Sequence, residues 1–515
     1  MFKTHTNPTS PSILALHEDL PRGVEGRLRS KSWMPRTYFA TPEEIQRSTF
    51  KDKSQHIFLG TIDGETQAYK RFDGRSEYRS RGGILIGMTD DRHLLTCAGS
   101  RSGKGRACII PNLLSYGGSC LVVDCKGENA DVTASWRAEH LGHKVAILDP
   151  FSITNERLSS HRMSFNPLTF LTLDNPTIVE DAGLIADALI VSDSKDPHWS
   201  ETARDFIEGV ILHVVTDHRF HDEERTLPTV ADLIVGKRME LDELLGEMMQ
   251  NSSLENHVVA AARTMAEKPS TEQGSVISTA RRNLRFLQYQ SIRSVCDRHD
   301  FDLEDLKRDK LTVYLCLPAT RMSTCAQWLR LFVNLTLGAM ERVSAPPSIP
   351  VLMLLDEFPV LGYLKELETA AGQIAGLGVK LWPVVQDLGQ LKTLYKNRWE
   401  TFLGNSGVLQ FFGNSEATTL DWISKRLGQT CVTTTTQGSL GHEQRNRQGQ
   451  TGMSSQQQST NLLSPEEISR YFGRNDHLCR QLIIIPGERP YILQRAYYDV
   501  HEAFAGRFQQ WEGKR

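Results

Sequence analysis

Short apolar runs alternate with amphipathic stretches in two separated parts of the chain. In the first part, Gly82–Met88, His93–Cys97, SCLVVD (Ser119–Asp124) and KVAILD (Lys144–Asp149) read as strands. In the second, LTVYLCLP, VLMLLDE and VKLWPVVQD (from Leu311, Val351 and Val379) and GVLQFFG (Gly407–Gly413) read the same way, with RQLIIIPG (Arg480–Gly487) as a final strand. Helical patterns lie between them, among them Trp328–Val343. Such alternation predicts an α/β fold with a mostly parallel sheet covered on both faces. From 176 to 300 the strand signal fades. Phe206, Val210, Ile211 and Val214 recur at three and four, the face of a helix, and LDELLGEMM and ENHVVAAARTMAEK are also helical in pattern. The first 80 residues are polar and turn-rich, with Pro8, Pro11, Pro21, Pro35 and the pairs Asp63-Gly64 and Asp73-Gly74. The segments expected are therefore 1–80, 81–175, an all-α domain at 176–300, and 301–515. Helix starts are marked at Thr41-Pro42-Glu43-Glu44 and in LSPEEI (Leu463–Ile468). Thr430–Ser459, rich in Thr, Gln, Ser and Gly, is expected as a flexible loop or a long hairpin excursion. Inside Arg106–Leu114, read as a helix, Pro111 is expected to break it early.

The composition narrows the class. The 515 residues are 39% hydrophobic and 23% charged, which excludes a disordered or collagen-like chain. The net charge of −3 excludes an overall polycation, so any nucleic-acid contact is local. The nine cysteines form no CxxC pair and read as reduced, partly buried thiols. No run approaches the roughly 20 apolar residues of a membrane span, and the first 30 residues lack the apolar core of a secretory signal. A cytoplasmic protein is expected, peripheral at the inner membrane at most.

The strongest chemical signal is AGSRSGKG, Ala98 to Gly105, between a strand and a helix. A glycine-rich turn there presents successive backbone N–H groups to phosphate at a helix N-terminus. Gly99, Ser100, Arg101, Ser102, Gly103, Lys104, Gly105 and Arg106 would bind the nucleotide, with Lys104 on the β- and γ-phosphates. Two positions depart from GxxxxGK[ST]: Ala98 stands for the first Gly, with Gly99 beside it, and Gly105 replaces the hydroxyl residue that normally meets Mg²⁺. The second signal is VLMLLDEF, where a buried run ends in Asp356-Glu357. In a phosphate-loop ATPase, Asp356 holds Mg²⁺ and Glu357 orients or deprotonates the attacking water. Gln386, closing VKLWPVVQ, is placed to sense the γ-phosphate. Asp124, at the tip of SCLVVD, either contacts nucleotide or caps the next helix. The expected catalytic set is Lys104, Asp356, Glu357 and Gln386, with ATP and Mg²⁺ as ligands, and 81–175 and 301–515 become two parts of one nucleotide-binding domain. Arg281, Arg282 and Arg285, with Arg79 and Arg81 as a smaller group, read as solvated faces or as modest phosphate-binding patches.

At these residues the chain resembles the type IV secretion coupling proteins, the TraG-like conjugative-transfer ATPases. SRSGKGRACIIPNLL, SCLVVDCKGEN, ILDPF, FNPL, the DPHW segment, LLDEFPVLG, VVQDLGQL, GNSGVLQFFG, ISKRLG and LSPEEI fall in the family's order, from about residue 35 to the C-terminus. Gly after the loop Lys is itself similar to the family's pattern. The resemblance implies a RecA-like P-loop ATPase domain with an inserted all-α domain, assembled as a homo-hexamer. It also implies recruitment of relaxosome-bound DNA or effector protein for delivery to type IV secretion channel components. Family members usually begin with a membrane anchor, so membrane contact here is expected only through partners. Relatives place an arginine finger between the acid-tipped strand and the glutamine, whereas Glu366–Val379 holds no Arg. Arg426, Arg398 and Lys380 are the alternatives. A coupling ATPase is the first reading. A soluble hexameric DNA translocase or helicase-like motor is the second, and a non-hydrolysing recruiting adaptor the third.

Overall fold

The computed structural model describes residues 37–50, 55–70, 76–190, 197–437 and 453–511. Fifteen strands occur among them: β1 (Ile57–Ile62), β2 (Glu65–Lys70), β3 (Ser76–Arg81), β4 (Ile84–Met88), β5 (His93–Ala98), β6 (Cys120–Asp124), β7 (Lys144–Leu148), β8 (Leu311–Cys316), β9 (Val351–Leu355), β10 (Val379–Val385), β11 (Ser406–Phe412), β12 (Gln429–Gln437), β13 (Met453–Asn461), β14 (Arg480–Ile484) and β15 (Tyr491–Gln494). The chain forms two compact units. One holds residues up to 116, 385–399 and 406–505; the other holds 117–384, 400–405 and 506 onward.

In the second unit the strands run β10-β9-β6-β8-β7, every neighbouring pair parallel. Their composition explains this. VLMLL in β9 is buried at all five positions, as a strand with helices on both faces must be. Among the described residues no strand occurs between Leu148 and Leu311, and helices fill the interval. Helix 197–216 buries the predicted face: Phe206, Val210, Ile211 and Val214 are at most 3% exposed. By its contacts this helical stretch belongs to the same unit as the parallel strands.

The buried floor of that unit includes a cation. The Arg137 guanidinium donates to Thr312 Oγ1 and to the Gly118 carbonyl, both at 2.8 Å. His143 lies against it, 3.0 Å from Thr312 Oγ1 and 3.2 Å from the Gly117 carbonyl. Burial, then the charge of Arg137, pushes the His143 imidazole down to about 3. The unfolded chain protonates a histidine near pH 6.5, before the folded one does. Stability from this site is therefore complete above that pH and falls as the pH drops toward 3, by about 1.4 kcal/mol per pH unit. Chemical denaturation of His143→Gln between pH 7 and pH 4 should show a shallower loss than wild type; parallel slopes would refute it.

In the first unit the order is β4-β1-β15-β14-β11-β5. Only β11 and β5 pair in parallel; the other pairs are antiparallel. A chain of polar side chains crosses this sheet. Thr96 donates to Gln410 at 2.9 Å, Gln410 to Gln481 at 2.6 Å, and Gln481 to the Leu59 carbonyl at 2.7 Å. Gln494 exchanges hydrogen bonds with Gly64, accepting at 2.7 Å and donating at 3.0 Å. All four side chains are nearly inaccessible, so each link removes a buried polar group's need for water. Gln410→Leu removes two buried links, Thr96 Oγ1 to Gln410 and Gln410 to Gln481 Oε1, and should lower unfolding free energy by about 1–3 kcal/mol. Denaturant unfolding with unchanged m-value would measure it, and a neutral effect would show the chain of bonds to be dispensable.

The N-terminal expectation needs extending. Residues 57–81 carry three strands where the sequence suggested mainly turns, while the expected strand at Gly82–Met88 is β4, and β1, IFLGTI, is buried throughout. Its partner β15 lies over 400 residues away, at Thr61↔Gln494. β2 and β3 form a separate hairpin, Glu65↔Arg81 to Lys70↔Ser76. The Thr-Gln-rich segment takes the hairpin alternative: β12 pairs β13 from Gln429↔Asn461 to Gln437↔Met453, with 438–452 outside the described residues. Pro8, Pro11, Pro21, Pro35 and Asp73-Gly74 also lie outside them. Both predicted capping boxes are present, Thr41 with Glu44 and Ser464 with Glu467. All nine cysteines are free and buried. Among the described residues no helix is long and apolar enough to cross a membrane.

Candidate nucleotide site

The glycine-rich turn leaves β5 at Ala98 and is pressed onto the end of β11. Gly99 N donates to the Phe412 carbonyl at 3.2 Å, and Ser102 N to the Gly99 carbonyl at 3.1 Å. A Cβ on Gly99 would stand 1.9 Å from the Gly413 carbonyl oxygen, so only glycine fits there. Gly99 thus supplies the close approach that the displaced first glycine of the motif would give. Gly103 has φ +91° and Arg101 φ +55°, the left-handed bends that reverse the turn. Ser100 and Arg101 are exposed, while Ser102 is 3% exposed with a hydroxyl that has no protein partner.

The chain after Lys104 corrects the expected helix. Gly105–Ile109 is a π-helical turn, and the α-helix proper is Ile110–Ser115 with Pro111 in its first turn. Pro111 does not break the helix but begins it. Its missing N–H and its ring are incompatible with continued i→i−4 bonding, and the wider turn absorbs both. At Gly105 an added Cβ meets nothing within 4 Å. Arg106 is held by carboxylates: Asp499 at 2.6 Å and Glu77 at 2.7 Å, with its guanidinium 4.7 Å from the centre of the Tyr497 ring.

Two residues passed over in the sequence complete this part. Arg495, 1% exposed, donates to the Ser102 carbonyl at 3.1 Å and to the Gly473 and Arg474 carbonyls, fixing the turn from beyond β15. Asn414, just after β11, donates to the Gln386 carbonyl and to Cys97 Sγ, both at 3.3 Å. Gln386 is therefore brought to the ends of β5 and β11. Its own N–H donates to Gln390 Oε1 at 3.0 Å. The only hint of Asn414 was its place after FFG, and Arg495 follows a strand too short to stand out.

The second unit carries the acids. β6 and β9 are adjacent and parallel, in register at Val123↔Leu355, so Asp124 and Asp356 emerge from neighbouring strand ends. Open α/β sheets bind ligands at such ends. Asp124 is 2% exposed and accepts from Ala130 N at 2.9 Å and Lys126 N at 3.3 Å, so it does cap helix 128–139. Burial, with the charges of Asp356 and Glu128, pushes its carboxyl up to about 7 against those hydrogen bonds. Asp356 accepts from Glu357 N at 3.0 Å. Glu357 has φ +54°, a left-handed bend at a non-glycine residue, where the chain turns into Phe358–Leu361. Phe358 is fully buried, 5.5 Å from the Phe402 ring centre, and anchors that bend. Arg330 holds the loop beyond it, donating to Leu361 O at 2.9 Å and Tyr363 O at 2.7 Å.

Of the arginine-finger alternatives, Arg398 and Arg426 are exposed, but Lys380 is 4% exposed inside β10. The Lys380 side chain is enclosed within its own unit and is not displayed for another subunit, which leaves the exposed Arg398 and Arg426 as the candidates. Arg281, Arg282 and Arg285 are exposed in the helical stretch.

Comparison with known proteins agrees with these features. The chain is 30% identical to the conjugal transfer protein TraG of Escherichia coli over 400 residues, covering 74% of this chain and 62% of TraG. It is 27% identical to VirD4 of Agrobacterium fabrum, covering 84% and 63%. The chain thus spans less than two thirds of the length of these curated relatives. The conjugative coupling protein TrwBdeltaN70 shares the fold, with TM-score 0.65, 14% identity, and 96% of this chain and 98% of that one covered. TrwB has also been solved with an ATP analogue (TM-score 0.62, 15% identity, 95% and 98% covered) and with ADP and Mg²⁺ (0.54, 15%, 84% and 89%). The fold is that of a RecA-like P-loop protein. The family model for type IV secretory system conjugative DNA transfer matches residues 39–511, and the chain belongs to that family.

Proposed function

We propose that this chain is an ATP-hydrolysing motor that recruits or moves DNA or protein substrates for a type IV secretion channel, working as a homo-hexamer. The observation that carries the reading is the turn Gly99–Gly105, closed so tightly on β11 that only glycine fits and opening directly into a helix. Family membership and the nucleotide complexes of TrwB support it.

In this reading the backbone N–H groups of the turn, with Lys104, hold the phosphates, and the unpartnered Ser102 hydroxyl is available to them. The side chain of Arg106 braces the turn, leaving its N–H for phosphate. Asp356 holds Mg²⁺, with Asp124 beside it. The donor chemistry fits: beside burial, the neighbouring Asp356 charge raises the proton affinity of Asp124, and a divalent cation relieves that repulsion. Mg²⁺ on a nucleotide needs only one or two carboxylates besides phosphate oxygens. It is therefore consistent that the described residues contain no cluster of three or more acidic, His or Cys ligands. The bound ion neutralises charge on the phosphate oxygens. Glu357 accepts the proton of the attacking water, and Gln386 orients that water. With no hydroxyl at Gly105, the acids carry the metal alone.

The test is ATP hydrolysis by the purified chain, with and without single-stranded DNA, across salt concentration. Stimulation that falls steeply with salt supports a DNA substrate. Stimulation by an effector protein alone supports protein transfer. Absence of hydrolysis under every condition overturns the motor.

A further inference from the structure

A groove of about 450 Å³ lies on the second unit, among helices Ile178–Leu189, Met322–Arg342 and Lys365–Gln373. That volume is within the range of small-molecule sites, roughly 300–1,000 Å³. One wall is a single helical face, since Asn334, Leu337, Gly338 and Glu341 follow i, i+3, i+4, i+7. Leu184, Ile374 and Leu377 make the apolar remainder.

Asn334 is the anomaly. It is 4% exposed and lines the groove, yet neither its Nδ2 nor its Oδ1 has a hydrogen-bond partner. A buried carboxamide left unpaired costs about 1–3 kcal/mol. The other buried polar side chains of helix 322–342, Arg330 and Thr336, are hydrogen-bonded and the rest are apolar, and leucine would fill the position without that penalty. A group that offers both a donor and an acceptor side by side is what the carboxamide lacks, and a peptide amide offers both. The rim carries both signs of charge. Lys365 and Glu366 on helix 365–373 and Glu341 on helix 322–342 make no ion pair among the described residues, and Lys365 and Glu341 are exposed.

We propose that this groove binds a short zwitterionic peptide with apolar side chains. Its amide pairs with Asn334, its side chains rest on Leu184, Leu337, Ile374 and Leu377, its carboxylate faces Lys365 and its ammonium faces Glu341. The site is independent of the nucleotide reading.

Leucyl-leucine is the probe, titrated into the full chain with methyl-labelled Leu and Ile. The methyls of Leu184, Leu337, Ile374 and Leu377 should shift saturably. Asn334→Leu should weaken binding at least about tenfold while leaving the melting temperature equal or higher. Should that variant fold poorly, the exposed substitutions Lys365→Glu and Glu341→Lys, made separately, decide the matter, since each should weaken binding several-fold. Acetyl-leucyl-leucinamide, with both ends capped, should also bind several-fold more weakly. The proposal is overturned by unmoved groove methyls, by shifts with adenosine but not with the peptide, or by undiminished affinity in Asn334→Leu. Equal affinity of the capped peptide also overturns it.

Discussion

Glu357→Gln is expected to keep nucleotide binding and to slow ATP hydrolysis by about a hundredfold or more. Gln preserves the size of the side chain and its place in the left-handed bend, but it cannot take a proton. Loss of a positioned general base lowers rates by about 10²–10⁴. The bend is held independently of that side chain, by Phe358 in its buried contact with Phe402 and by Arg330 on the following carbonyls, so the substitution does not release the loop. Lys104→Ala should differ in kind: if Lys104 meets the phosphates as proposed, its loss makes binding and hydrolysis fall together. A fluorescent ATP analogue measures the first quantity and single-turnover phosphate release the second. Wild-type hydrolysis in Glu357→Gln would place the base elsewhere.

Gly99→Ala is expected to have the largest effect on stability among substitutions in the turn. The obstructing atom is a backbone oxygen, that of Gly413, which cannot rotate aside as a long side chain would. Gly413 is itself fixed, because its N–H donates to the Phe472 carbonyl at 2.7 Å and its own Cβ position lies 2.5 Å from Ser102 Cβ. Overpacking at a rigid site costs about 1–3 kcal/mol. Displacing β11 would also move Asn414 and, through it, Gln386. Gly105→Ala, with nothing within 4 Å, should change stability by no more than about 0.5 kcal/mol. Denaturant unfolding and nucleotide affinity of the pair test the contrast. Equal stability in both variants would mean that the turn is not pressed against β11 in solution.

The parallel strands were legible because parallel sheets demand near-continuous apolar runs, and β6, β8, β9 and β10 supply them over 5–7 residues each, with Lys380 and Thr312 as interruptions. The first unit was less legible. β1 contains Gly60, and β15 is four residues long, so neither carries a strong pattern by itself. Their pairing becomes favourable only when each covers the other's edge, which no local window records. The partners of the phosphate turn were hidden for the same reason: Asn414 and Arg495 sit at strand ends far along the chain and act through single hydrogen bonds.

The sequence by itself determined the alternating α/β class, the glycine-rich turn, the acids at the strand ends and the family, because these rest on short-range spacing and residue chemistry. The tertiary structure decided which glycine must be glycine, that Arg106 braces the turn through Asp499 and Glu77, and that Lys380 is enclosed in β10. It also decided that Asp124, capping a helix beside Asp356, holds its proton up to about pH 7. Each of these depends on which atoms occupy the last few ångströms around a group, and that is set by residues distant in sequence.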